Sequence, residues 1–584
     1  MASTDNNNNH NQFEIPLKLS KMVEDSKIIQ KFVIDPNDKY VKLRLNSKYN
    51  PTVSIDVPID IIKEKDGWNK FIDRFRNPLK KIYKIDDEHN TWIYGIVNEN
   101  GSLIRSYVNP QQQQPDQHEQ KEEEEQQQQE EESTIEEQIP FTQWSIKLVE
   151  KYTNLQKEIL DLIPELWEPT EFALSVRTIL RIKNITLPFA GIVLGPSGGL
   201  KTATVELYRN TRDTCYRDSF SAKSFVSHNT AIPKENLADI DLLPAIKNKL
   251  FLTPELSPTF SKKEEDLNEI LGIITRVLDG HGYESQSGAQ GYRGYTGNHM
   301  FVWIGAAVDV PRKVHRLLGT LGPKLYFFRI KKVEKNENDY LKQNEEEKIK
   351  GDYIQKTEKI KSKMNDYLEW FDSNPFDYDT TIDNNKNNIE EKVLLLIIKL
   401  AILLKHLRGN VPVYETTNTQ GSDYGYTSAS LEDPNRAITQ LKNLARGHSL
   451  SQGRTKVTMQ DIPLLIKVVL STASKERVIL FDHLLENDGK LDTINIEDHM
   501  LMSKKTALKT MTELAILEIV NKLNMDSSDN NVFQIQLKEE FKWFLSNEFK
   551  QLRGNFGKEY HDEYIDSKQE KEQKSEEEQE EERI

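Results

Sequence analysis

Between residues 189 and 208 a short apolar run, a glycine-rich turn, a Lys-Thr pair and a helix-like continuation follow one another. Phe189-Ala190-Gly191-Ile192-Val193-Leu194 reads as a buried strand, and Ala203-Thr204-Val205-Glu206-Leu207-Tyr208 as the first turns of a helix. Between them lies Gly195-Pro196-Ser197-Gly198-Gly199-Leu200-Lys201-Thr202. Strand, glycine turn, Lys-Thr and helix is the arrangement of a phosphate-binding loop. Glycines let the backbone turn its N–H groups inward onto an anion, and a helix N-terminus adds partial positive charge. Lys201 is then the residue that reaches the terminal phosphates, and the Thr202 hydroxyl a ligand for Mg2+. The residue before the lysine, usually glycine, is Leu200. The expected ligands are therefore ATP and Mg2+, held by Gly195, Pro196, Ser197, Gly198, Gly199, Leu200, Lys201 and Thr202.

At 584 residues the chain is too long for a single core. Its net charge of −15 is concentrated in a Glu/Gln tract at 119–137 and a second acidic tract at 567–582. Without them the chain is close to neutral, so charge does not argue against a nucleic-acid partner. Both tracts have the composition of disordered segments. The single cysteine, Cys215, excludes an internal disulfide or a cysteine-only zinc site and suits a reducing cytosol. The Asn-rich start has no apolar core of a signal peptide. The apolar run Val393–Leu404 is too short for a membrane span and is interrupted by Lys399. A cytoplasmic protein with no membrane partner is expected.

Seven segments are expected. Residues 1–12 are disordered, 13–109 form an α+β domain, and 110–138 are a Gln/Glu-rich linker. Residues 139–330 form an α/β nucleotide-binding domain and 331–472 a helical region. Residues 474–545 form a winged helix and 546–584 a disordered acidic tail. In the first domain, Lys31–Asp35 and Tyr40–Leu45 alternate as strands around Pro36-Asn37-Asp38. Further strands are expected at 52–57 and 91–97, with a basic amphipathic helix at 68–82. In the winged helix, three helices precede a hairpin, and Ser503 is a natural cap for the third. That helix carries Lys504, Lys505 and Lys509, placed to meet DNA phosphates. A protein-docking role is the alternative, because such modules also bind proteins.

Leu250-Phe251-Leu252-Thr253-Pro254-Glu255 is an apolar strand that ends in an acid. Glu255 stands where a water-activating glutamate is needed, while Pro254 replaces the usual Mg2+-supporting aspartate. Thr253, Asp239 and Asp241 are the alternatives for that support. A helix from Glu269 and a Gly/Tyr/Gln-rich hairpin at 283–295 follow, then a buried strand, Met300–Ala307, with Asp309 beyond its end.

On these residues the chain resembles the AAA+ ATPases, nearest in layout to the branch that includes the MCM helicases and the MoxR/magnesium-chelatase group. The resemblance covers about residues 165–472. It includes Glu432-Asp433-Pro434-Asn435-Arg436 and the helix that follows, which are similar to the lid of that branch. The implied fold is an α/β P-loop NTPase core with a helical lid, an N-terminal α+β domain and a C-terminal winged helix-turn-helix. The resemblance implies that Arg436 reaches the γ-phosphate as a sensor, and that Glu255 and Arg436 form the catalytic set. It also implies a homo-oligomeric ring in which a neighbour supplies an arginine finger, for which Arg316, Lys324 and Arg329 are candidates. The expected function is an ATP-driven motor on DNA, helicase-like or remodelling. A nucleotide-switched DNA-binding regulator with slow or no hydrolysis is the alternative, and a scaffold built from an ATPase-derived domain the third reading.

Overall fold

The computed structural model describes four strands between Phe13 and Pro58 and the helical positions Lys70 and Arg74. With short breaks it also describes residues 141–556, together with His561 and Ile565. By its internal contacts the chain divides into two units, Met1–Glu137 and Gln138–Ile584.

In the first unit, β1 (Phe13–Glu14), β2 (Ile29–Asp35), β3 (Tyr40–Leu45) and β4 (Ser54–Pro58) form an antiparallel sheet in chain order. Asp35 pairs with Tyr40, as expected of strands separated by a short turn signal. The strand expected at 91–97 lies outside the described residues. So does the helix expected at 68–82, apart from Lys70 and Arg74.

The second unit opens with α1 (Phe141–Leu162) and α2 (Trp167–Thr178). On α1, Trp144, Leu148, Leu155 and Ile159 recur at helical spacing and are buried. The α/β core then runs through β5 (Phe189–Leu194), α3 (Lys201–Glu206), β6 (Thr214–Tyr216), β7 (Leu250–Thr253) and α4 (Glu264–Val277). The hairpin β8 (Gly282–Ser287) and β9 (Gly291–Thr296) follows. It leads to β10 (Val302–Ala307), α5 (Arg312–Leu321) and β11 (Leu325–Arg329).

Five of these strands form one parallel sheet in the order β11-β5-β10-β7-β6. Every residue of β5 and β10 is buried. That is why these strands read as unbroken apolar runs: a parallel sheet is covered on both faces. Phe189 and Val193 join the core on one face of the sheet, and Ala190, Ile192 and Leu194 the core on the other. Gly191 has no side chain because a Cβ there would come within 2.6 Å of the Phe172 ring of α2.

A helical region follows: α6 (Glu337–Lys350), α7 (Tyr353–Ser373), α8 (Glu391–Leu407), α9 (Asn435–Ser451) and α10 (Ile462–Thr472). Two devices bind it to α2 and to the sheet. Asp372 of α7 accepts from Arg177 at 2.6 Å and Arg181 at 2.7 Å, with Arg177 and Asp372 both buried. Along edge strand β11, Phe327 N donates to Thr472 Oγ1 at 3.0 Å and Arg329 N to Ser471 Oγ at 3.1 Å. The last turn of α10 thus occupies backbone donors that would otherwise invite another strand. The Val393–Leu404 run lies in α8 with Val393, Leu396, Ile397, Leu400 and Leu404 buried. Among the described residues no helix is long and apolar enough to cross a membrane.

Between α8 and α9 the chain forms a hairpin that the sequence reading did not anticipate, β12 (Val413–Asn418) with β13 (Gly421–Tyr426). The last part contains α11 (Lys475–Glu486), β14 (Lys490–Asp492), α12 (Thr493–His499), α13 (Lys504–Ile516), β15 (Val520–Asn524) and β16 (Phe533–Leu537). Its antiparallel sheet has the order β14-β16-β15. The tail expected from residue 546 instead begins with α14 (Asn547–Arg553). The reason is apolar: Phe549 is fully buried, edge-on to Phe544 and against Trp543.

Candidate functional site

The loop at 195–202 joins the carboxyl end of β5 to α3. Gly198 has φ +76°, a conformation that a side chain disfavours, and nothing stands within 4 Å of where its Cβ would be. Gly199 turns back so that its N–H bonds Pro196 O at 3.0 Å, and a Cβ there would meet that same oxygen at 2.9 Å. These two positions need glycine. Leu200 does not: its φ of −74° suits any residue, and its side chain packs against the core. The departure from the usual loop pattern therefore costs the backbone nothing here.

Lys201 is the first residue of α3 and is buried, with Nζ 3.4 Å from Pro196 O and 3.8 Å from Glu255 Oε2. Thr202 follows on the exposed side of the same turn. Glu255 lies just past β7, which is not adjacent to β5; β10 stands between them. The end of β10 ties both sides together. Gly195 N donates to Ala307 O at 3.2 Å, and Leu256 N donates to Ala306 O at 2.7 Å. Ser257 completes the clamp. Its N–H donates to Glu255 Oε1 at 2.9 Å, and its Oγ accepts from Val308 N at 2.9 Å. The sequence reading missed Ser257; an N–H two residues after an acid, free to close an Asx-like turn, was the available signal. One carboxylate oxygen is thus fixed by the backbone, and the other faces the lysine.

Asp309 and Arg329 sit at the same end of the sheet, where Ala307 and Arg329 both pair with Leu194. They form an ion pair at 2.7 Å. Burial opposes the charge on Asp309, but the Arg329 guanidinium holds its carboxyl below the ordinary range. Arg316 lies on exposed α5, paired with Glu264 at 2.6 Å. Lys324 is elsewhere: its ammonium meets Asp279 Oδ1 at 2.6 Å and Thr275 O at 2.7 Å.

The structure corrects the placement of Arg436. Its guanidinium donates to Asp279 Oδ1 at 2.8 Å and to Leu278 O at 2.7 Å. One turn further on α9, the Gln440 amide donates to Pro188 O at 2.7 Å, immediately before β5 begins. Arg436 is therefore at the amino end of the sheet, and the loop is at the carboxyl end. The six residues of β5 between them span about 20 Å. Within one chain Arg436 does not meet a group bound at Lys201. It joins Lys324 on Asp279 and fastens α9 to the foot of β11.

Among the alternatives for metal support, Thr253 is buried and its Oγ1 accepts from Trp303 Nε1 at 2.8 Å. Asp241 is fully buried and already saturated. It accepts from Ser227 N at 2.6 Å, Arg293 Nη2 at 2.8 Å and Tyr295 OH at 2.6 Å. Arg293 also donates to Ser227 O. This ion pair seats the β8–β9 hairpin on the 227–241 segment, and His228 Nε2 adds a contact of 2.7 Å to Ser285 Oγ. Asp239 is exposed, in the turn before Asp241. Among the described residues no group of three His, Cys, Asp or Glu gathers to hold a metal by itself.

Lys504 and Lys505 are exposed and Lys509 is half-buried, all on the first two turns of α13. Ser503 caps this helix by accepting from Thr506 N at 3.4 Å.

No protein-family model and no curated protein matches the chain. Among solved structures, a protein from Cytophaga hutchinsonii ATCC 33406 described as a "putative ATPase" is similar at 12% identity, covering 56% of this chain and 88% of that one. Its TM-score is 0.26.

Proposed function

We propose that this chain is an ATP-binding AAA+ ATPase of the MCM/MoxR-like branch that acts on DNA. One observation carries the reading. Lys201 and Glu255, 54 positions apart in sequence, come within 3.8 Å at the carboxyl end of a parallel sheet, beside a glycine loop. The loop's shape suits a triphosphate: its left-handed Gly198 opens onto empty space, and its one ammonium is buried and aimed inward. Lys201 and the loop N–H groups would hold the phosphates, and the Thr202 hydroxyl would hold Mg2+. When bound, the Mg2+-nucleotide supplies the phosphoryl group whose developing charge Lys201 stabilises. Glu255, with one oxygen pinned by Ser257 N, orients and deprotonates the attacking water with the other.

In this reading residues 139–330 are the ATPase domain, 331–472 its lid and 474–545 a winged helix. Lys504, Lys505 and Lys509 of α13 face DNA. The chain works as a homo-oligomeric ring in the cytoplasm. Of the three finger candidates, Arg316 fits best: it is exposed on α5, which starts from the carboxyl end of the sheet. Arg329 is turned onto Asp309 of its own chain, and Lys324 is at the other end of the sheet. The nucleotide-switched regulator is the second reading, favoured by Pro254 at the Mg2+-supporting position.

The test is ATP turnover with and without duplex DNA, alongside the mass of the assembly with a non-hydrolysable analogue. DNA-stimulated turnover by an oligomer supports the motor. Tight ATP binding by a chain that does not turn over sinks it and favours the switch.

A further inference from the structure

The last described residues lie near a basic helix, and the sequence beyond them is acidic. His561 lies with its ring 3.9 Å, centroid to centroid, from that of His499, at an interplanar angle of 19°. Its Nε2 is 2.9 Å from His499 O. His499 is the last residue of α12, four positions before Ser503, the cap of α13. His561 therefore lies near the start of α13. That first turn carries no acid but two exposed lysines, Lys504 and Lys505, with Lys509 one turn on. Helix polarity adds to their attraction for anions.

Beyond Ile565, six of the seven residues Glu576–Glu582 are glutamate. Glu576 is eleven positions beyond Ile565, a reach of at most about 36 Å, whereas α13 is only about 20 Å long. A segment tethered so closely has an effective concentration on the order of millimolar at the helix, so weak individual ion pairs suffice.

We infer that Glu576–Glu582 docks on the lysine-bearing first two turns of α13 and competes there with external polyanions. The docking stands on charge, tether length and the place of His561; its consequence for DNA rests on the function proposed above.

Two measurements on the full chain test it. The first is zero-length carbodiimide cross-linking at low salt, with the sites read by mass spectrometry. Amide links between Glu576–Glu582 and Lys504, Lys505 or Lys509 are expected, and they should vanish near ~0.5 M salt, where the screening length falls to a few ångströms. Tail glutamates that link only to other lysines, or to none, overturn the docking. The second is the affinity for a labelled DNA duplex when Glu576, Glu577, Glu578, Glu580, Glu581 and Glu582 are all changed to Gln. A gain of about tenfold or more is expected, with a steeper salt dependence. DNA binding that is present and unchanged by the tail overturns the competition. Cross-links with no DNA binding by either chain uphold the docking and sink the DNA reading.

Discussion

Lys201 Nζ and Glu255 Oε2 lie 3.8 Å apart, each delivered by a different strand of one sheet with β10 between them. In the proposed function the pair divides the work of the site, Lys201 holding phosphate and Glu255 the attacking water, and the two substitutions should separate it. Lys201→Ala removes a charge-assisted contact to phosphate and should weaken nucleotide binding about tenfold or more. Glu255→Gln keeps the shape and the Ser257 contact, so binding should persist while turnover drops by about 10²–10⁴. Calorimetry and phosphate release measure the two separately. Equal loss of binding in both variants would refute the division.

The loop yields a second prediction, because its glycines are not equivalent. Gly198→Ala places a side chain at φ +76° and should cost about 1–2 kcal/mol, with weaker nucleotide binding. Leu200→Gly restores the usual loop pattern, yet it should not improve binding, since the backbone at 200 is already relaxed at φ −74°. It should cost about 1 kcal/mol in helix-start entropy and packing. Tighter ATP binding by Leu200→Gly would show that Leu200 distorts the loop.

Arg436→Ala tests where that arginine acts. It leaves Lys324 on Asp279 but removes the link from α9 to the foot of the sheet. A loss of about 1–3 kcal/mol in thermal stability is expected, with ATP affinity of the isolated chain unchanged. A specific fall in affinity at unaltered stability would place Arg436 at the phosphates after all.

The hairpin seat rests on a buried ion pair, Asp241 with Arg293. Asp241→Ala strands a buried Arg293 and should destabilise the α/β core by about 3–5 kcal/mol. Hydrogen exchange should rise first at 282–296 and 227–241. Replacing Asp241 and Arg293 together by apolar residues should recover part of the loss. If exchange in the hairpin does not change, the ion pair is not its anchor.

Two sets of histidines should shape the pH profile from opposite sides. Burial opposes a charge on His448, but hydrogen bonds with Asp461 and Glu171 outweigh it and raise its pKa from 6.5 to about 8. A raised pKa means this contribution is complete below 6.5 and is lost as pH climbs through about 8. His483 and His499 are stacked with ring centroids 3.4 Å apart, and burial, together with their histidine neighbours, lowers both to about 4. Here the neutral rings are favoured, so stability is complete above 6.5 and declines as pH falls from 6.5 towards 4. Thermal midpoints across this range should fall on both flanks. His448→Gln should flatten the alkaline flank and His499→Asn the acid one; flanks that survive their own substitution would assign the titration to other groups.

Much of the site was legible because its signals are local. A buried parallel strand must be apolar throughout, and so Phe189–Leu194 and Leu250–Thr253 announced themselves, with the loop and Glu255 at their ends. Ser503 as a cap and Lys475–Glu486 as a helix were similarly local. What failed depended on distant partners. Asp241, one of three alternatives for metal support, is instead paired with Arg293, 52 positions later. Residue 546 looked like the start of an acidic tail because the apolar signal of α14 is little more than Phe549 and its aromatic neighbours.

The sequence by itself determined that a glycine loop precedes Lys201 and that an acid ends the 250–255 strand, because backbone turning and strand burial act over a few residues. Only the tertiary structure decided that the loop and the acid share one end of the sheet and Arg436 the other. The interleaving of β10 between β5 and β7, and the bonding of its last residues to both Gly195 and Leu256, fix that geometry. Strand order is a property of long-range pairing, which no local run of residues encodes.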